Sequence, residues 1–281
     1  MSSLAETVLV MAAVAAACSG LGVFLVLRRL AMTADAIGHT LLFGIVVAFA
    51  IVRDLRSPWL TIGAATAGIM TVWFVEWLQR IGRIRQDAAI GLVFPVLFAL
   101  GTLLASLEFR QIHLDVDAVL LGQAENTRLS RWEWGRIDVP SSFATCLLFA
   151  VASWSWIGLF FKQLSITTFD ADLALALGYR PSLIHLVLVS LASMTAVAAF
   201  DAVGPLLVVS FFVVPAATAR LLTNRLSTTL IWSLLIGTGG AVGGTWLAFQ
   251  IDTTVAGTVA SLLGLVFSIV AFGTAITRRT R

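Results

Sequence analysis

The chain has 281 residues, 59% of them hydrophobic and only 12% charged, with a formal net charge of +3. A soluble domain carries about a quarter charged residues, so a water-soluble globule is excluded. The basic residues flank apolar runs, where they set orientation, and form no patch for nucleic acid. A mean hydropathy of +0.98 and recurring runs of ~20 apolar residues instead require bilayer-spanning helices, which satisfy their backbone polar groups internally.

Candidate spans fall at residues 8–27, 36–52, 59–78, 88–107, 140–161, 183–200, 203–222, 228–249 and 255–276. Eight or nine crossings are expected, since a short run can be a broken or re-entrant helix. The first run lacks a basic n-region and ends at Arg28-Arg29 instead of a small-residue cleavage site. It is expected to be a span and not a signal peptide.

Near the inner part of the second span, TADAIGHTLLFG places Asp35 and His39 four residues apart, on one helical face. An ionisable residue at membrane depth costs ~2.5–3.5 kcal/mol on insertion scales and usually has a functional reason. A carboxylate and an imidazole at this spacing can reach one cation and suit Mn, Fe or Zn better than Cu(I). Duplicated by a second subunit, they would form a transient four-ligand constriction. A local Asp–His hydrogen bond at a helix end is the other reading. Further on, Glu76 is expected to snorkel to the interface or pair with an arginine, and Asp87 to face its helix N-terminus. Pro95 interrupts the fourth span.

Residues 108–138 form a long segment with an acidic and histidine cluster: Glu108, His113, Asp115, Asp117 and Glu125. Residues 162–181 form a second. Within it, 170–177 favour helix, with Asp170 a candidate N-cap and Gly178 a stop before Pro181. Such a short capped helix suits a knob offered to a soluble partner, and an ordinary interfacial linker is the alternative. His185, at the start of the sixth span, has no assigned role. Asp201 and Asp252 read as helix-end charges, with Asp201 also a pathway candidate. Pro205 and Pro215 bracket LLVVSFFVV and imply kinks. In GTGGAVGG, the pairs Gly239/Gly243 and Gly240/Gly244 allow close helix packing, within the subunit or between subunits. Cys18 and Cys146 lie in apolar segments and read as small hydrophobes.

With the amino terminus outside, Arg28, Arg29, Arg80, Arg83, Arg85, Lys162, Arg180, Arg220, Arg225, Arg278, Arg279 and Arg281 fall inside. Arg53, Arg56, Arg110, Arg128, Arg131 and Arg136 fall outside, so the positive-inside rule selects N-out, C-in. No GxxxxGK[ST], GxSxG, HExxH or CxxC motif occurs, so the chain is not expected to be an enzyme or to hydrolyse ATP itself.

In order and spacing, LGVFLVLRRLAMTADAIGHTLLFGI, QDAAIGLVF, TTFDADLALALGYRP, FDAVGPLLVVSFFVVPAATARLLTNRL and DTTVAG resemble the permeases of ABC-type zinc/manganese/iron importers. The resemblance covers residues 20–264 and implies a type II ABC-importer-like, all-α permease in a bacterial inner or plasma membrane. It implies a dimer with a second permease chain, cytoplasmic ABC ATPase subunits and an extracytoplasmic metal-binding protein. Asp35 and His39 fall in a motif like the family's DAxSH, which makes them metal residues of the pathway, although Gly38 stands where the family usually has Ser. Phe169, Asp170, Leu173, Ala174, Leu177 and Gly178 match the segment that couples to the ATPase. IHLDVDAVLLG, and Asp201 before Ala-Val-Gly, resemble the manganese/iron branch, with His113, Asp115 and Asp117 as contacts for the binding protein.

The expected cargo is therefore Mn²⁺, then Fe²⁺, then Zn²⁺, with no permanently bound cofactor. The rival functions are a permease for a metal chelate such as a siderophore or cobalamin, and an ion-coupled secondary carrier. An intramembrane enzyme is disfavoured by the missing motifs.

Overall fold

A computed structural model describes residues 3–53, 57, 59–108, 131–134 and 137–279. The helices are α1 (Ser3–Leu27), α2 (Ala31–Val52), α3 (Trp59–Gly82), α4 (Gln86–Glu108), α5 (Ser141–Leu159), α6 (Phe161–Phe169), α7 (Ala171–Ala176), α8 (Pro181–Val203), α9 (Pro205–Leu222), α10 (Leu226–Ile251) and α11 (Val255–Arg279). Among the described residues, nine are long and apolar enough to cross a membrane. These match the nine apolar runs in order. The fold is a polytopic helical bundle, as the sequence implies.

The most buried helix is α1, which packs against α5, α8, α9 and α10. Its run MAAVAAACSGLG supplies small side chains that let neighbouring backbones approach where no hydrophobic effect drives helices together. The indole of Trp154 on α5 donates to the Ala16 carbonyl at 2.9 Å, and the Ser233 hydroxyl on α10 donates to that of Ser19 at 3.0 Å. Cys18 and Cys146 are buried thiols in this core, as expected of small hydrophobes.

A second group is α2, α3 and α4, joined to the first through α8 and α9. Helices α2 and α3 run antiparallel with their backbones touching. A Cβ built on Gly63 would lie 2.6 Å from the Gly44 carbonyl oxygen and 2.5 Å from the Ala48 Cβ. Toward the other end, the hydroxyls of Thr40 and Thr71 lie 2.8 Å apart, and Ala36 and Val75 share one apolar cluster. Of the glycine pairs in α10, Gly240/Gly244 is used inside the subunit, against Leu263 and Val259 of α11. A side chain on Gly239 would meet nothing within 4 Å.

Several boundaries differ from the apolar-run reading. Helix α2 starts at Ala31, five residues before position 36, because helical hydrogen bonding continues through charged Asp35. Residues 162–169, expected to belong to the segment between spans, form α6 together with Phe161. Two four-residue strands, β1 (Arg131–Trp134) and β2 (Ile137–Pro140), pair antiparallel with Trp132 opposite Val139. This hairpin adds to the all-α expectation. Pro95 and Pro215 lie inside α4 and α9, whereas Pro205 opens α9 directly after Gly204, whose φ of 81° breaks it from α8.

Candidate metal site

Asp35 and His39 occupy the first turns of α2, with Oδ1 and Nε2 3.5 Å apart. Their side chains are 47% and 38% exposed, so the pair is reachable from outside the subunit. At metal–ligand bonds of ~2.1 Å, this spacing subtends about 110° at a shared ion, close to a tetrahedral angle. Among the described residues no third His, Cys, Asp or Glu joins them. The described residues thus offer two donors to an ion, with further coordination positions open.

Two aromatic rings of α4 hold the imidazole. The His39 ring lies 5.7 Å from Phe94 at 31° and 5.8 Å from Phe98 in an edge-on arrangement. These residues flank Pro95 at i, i+4 spacing, a pattern present in VFPVLF but not singled out from the sequence. Behind the pair, Gly38 faces Phe200 of α8. A Cβ at position 38 would lie 3.0 Å from the Phe200 Cζ and 3.6 Å from the Pro205 Cβ. The glycine thus leaves room for the ring.

Asp201 follows Phe200 within α8, and its side chain lies outside the described residues, as do His113, Asp115, Asp117 and Glu125. Helix α4 ends at Glu108. Asp252 caps α10 with a left-handed φ of 53°, exposed as a helix-end charge. Asp87 lies 3.5 Å from Arg85 in the first turn of α4.

Glu76 pairs with Arg80 at 3.5 Å and, unanticipated from sequence, with His185 of α8 at 2.8 Å. Arg28 joins the same cluster. Its Nη1 lies 3.5 Å from His185 Nδ1, while Nη2 and Nε donate to the Thr167 and Thr168 hydroxyls of α6 at 2.8 and 3.1 Å. Burial lowers the Arg28 pKa to about 10, which leaves it charged at neutral pH. The separation of 109 positions between Glu76 and His185 left no local signal for this contact.

Helix α7 has the predicted caps. The Asp170 carboxylate accepts from the Leu173 N–H at 2.9 Å. At the other end, Tyr179 N–H donates to Ala174 O and Gly178 N–H to Leu175 O, at 2.9 and 3.0 Å, with Gly178 at φ 80°. That is the Schellman arrangement. Phe169, Leu173 and Leu177 are exposed, whereas Ala174 is fully buried within the subunit.

Nine helices of spanning length among the described residues define the class: a multi-pass membrane protein, with a half-exposed acid–imidazole pair at the start of α2. Residues 1–274 match the ABC 3 transport family, and the chain belongs to it. It is 41% identical over 270 residues to the zinc transport system membrane protein TroD of Treponema pallidum, covering 94% of this chain and 72% of that one. It is 40% identical over 256 residues to the manganese transport system membrane protein MntD of Bacillus subtilis, covering 91% and 86%. Among solved structures, PsaBC from Streptococcus pneumoniae in complex with Fab matches with a TM-score of 0.79 at 26% identity, covering 96% of this chain and 91% of that chain. An inward-facing putative metal-chelate type ABC transporter matches at 0.67 and 15% identity, covering 95% and 86%, a likeness of fold alone.

Proposed function

We propose that this permease is the membrane-spanning subunit of an ATP-driven importer of divalent metal ions, with manganese the first cargo, then iron and zinc. The observation that carries the reading is the Asp35–His39 pair, two half-exposed donors 3.5 Å apart in a helix of spanning length. The names of the relatives support a metal cargo. An acid–imidazole site by itself binds Zn²⁺ more tightly than Mn²⁺, so selectivity is assigned to delivery by an extracytoplasmic binding protein and to kinetics.

A second permease chain completes the constriction, and Asp201 contributes to the path leading to it. Cytoplasmic ABC ATPases dock on the exposed apolar side chains of α7. The protein then lies in a bacterial plasma membrane with its amino terminus outside, and α6, α7 and Arg28 on the cytoplasmic side. His113, Asp115 and Asp117 meet the binding protein outside.

The test is the Mn, Fe and Zn content of cells lacking their own importers, measured by mass spectrometry. The complete complex is compared with the same complex carrying an ATPase that binds but cannot hydrolyse ATP. Manganese accumulation only with the active ATPase is expected. Equal accumulation in both would contradict an ATP-driven importer and favour an ion-coupled carrier.

A further inference from the structure

Beside α7, the polar cluster of Arg28, His185, Glu76 and Arg80 borders a cleft of about 510 Å³ that also includes Gln79 and Ser182. It joins four elements that are otherwise held mainly by apolar packing. Arg28 belongs to the short joint between α1 and α2, where Arg29 adopts a left-handed φ of 61°. Thr167 and Thr168 lie in the last turn of α6, and the next residue but one, Asp170, caps α7. His185 lies on α8 and Glu76 on α3.

The Arg28 guanidinium can only donate, so the His185 Nδ1 facing it is the acceptor, while His185 Nε2 lies 2.8 Å from Glu76 Oε1. The contacts therefore run from Arg28 through His185 to Glu76. Antiparallel pairing of Thr40 with Thr71 and clustering of Ala36 with Val75 bring Glu76 to the depth of Asp35. The cluster thus reaches α2, which carries Asp35 and His39, from two sides, through the α1–α2 joint and through α3.

We propose that Arg28 is a positioning residue of transport, a clamp that ties α6 to the α1–α2 joint and, through His185 and Glu76, to α3. Movement of α7 then displaces α2 with Asp35 and His39. The proposal rests on α7 being the ATPase-docking element. A fixed staple would be served by apolar packing. Here the long Arg28–His185 contact opens onto a cleft whose walls can keep the freed groups hydrated, so the clamp can release and re-form.

The experiment uses the complete complex, with ATPase and binding protein, in proteoliposomes at matched assembly. It measures ATP hydrolysed per manganese ion delivered. Arg28→Met and the double change Thr167→Val/Thr168→Val remove opposite halves of the clamp. Each is expected to raise the ratio about 3- to 30-fold, the range of mutational coupling effects. The triple variant is expected to be no worse than Arg28→Met, because both changes break one connection. Glu76→Gln, which keeps an acceptor for His185, is expected to retain a nearly normal ratio. Unchanged ratios in the Arg28 and threonine variants, or fully multiplicative effects, would overturn the clamp. Failure of the unaltered complex to couple hydrolysis to manganese delivery would overturn the underlying transport reading instead.

Discussion

The ring of Phe200 packs into the space left by the missing side chain of Gly38, where an added Cβ would come within 3.0 Å of the ring's Cζ. This contact places the end of α8 directly behind the turn of α2 that carries Asp35 and His39. The size of the residue at position 38 thus limits how closely α8 approaches the Asp35–His39 pair.

A small side chain at position 38 is expected to be absorbed. Gly38→Ala gains about 1 kcal/mol of helix propensity and needs the partly exposed Phe200 ring to move by a few tenths of an ångström. Its stability should stay within ~1 kcal/mol of the unaltered protein, and Gly38→Ser should behave alike. Gly38→Leu overpacks the site and should lose ~1–3 kcal/mol, recovered in part by Phe200→Ala. Thermal unfolding in detergent reads each of these directly. A destabilised Ala variant would mean that Phe200 cannot move.

Helix α10 contains its own control. Gly244→Val would push a side chain into the Val259 backbone, whose Cα lies 2.7 Å from an added Cβ, whereas Gly239 faces open space within the subunit. The first change is expected to lower stability by ~1–3 kcal/mol and the second to leave the isolated subunit unaffected. Equal unfolding temperatures for the two variants would argue against the α10–α11 contact.

For α7 the caps set the expectation. Asp170→Ala removes the bond to Leu173 N–H, worth ~1 kcal/mol in typical N-caps. Gly178→Ala forces a Cβ into a left-handed φ of 80°, which costs ~1–2 kcal/mol. Both losses are local, so the bundle should unfold at its usual temperature while retention of the ATPase on affinity resin falls severalfold. Leu173→Asp should weaken retention most, since it charges the exposed apolar face without disturbing either cap. Normal retention in all three would remove α7 from the ATPase interface.

The nine spans were legible because a long uncharged run has no other stable fate in a bilayer, and Asp170 and Gly178 were legible because capping is local chemistry. What surrounds the site was not. Lipid and protein interior are both apolar, so nothing in the periodicity of α3, α4 or α8 tells which face meets which neighbour. Phe94, Phe98 and Phe200 therefore looked like any lipid-facing aromatics. Glu76, deep in the third apolar run, and His185, at the start of the sixth, were each visible as ionisable residues, but only the packing of α3 against α8 brings them to 2.8 Å. Helix α6 was hidden by its polar composition, which resembles a linker. The start of α2 was misplaced because a charge was taken as a boundary.

The central claim is that Asp35 and His39 form the metal constriction, and the most direct test is ATP-dependent uptake of radiolabelled manganese into proteoliposomes. The complex reconstituted with Asp35→Ala or His39→Ala should assemble normally and lose at least ten-fold in uptake. Uptake that persists in both variants at matched assembly would contradict the account and leave the pair as a structural feature of the start of α2.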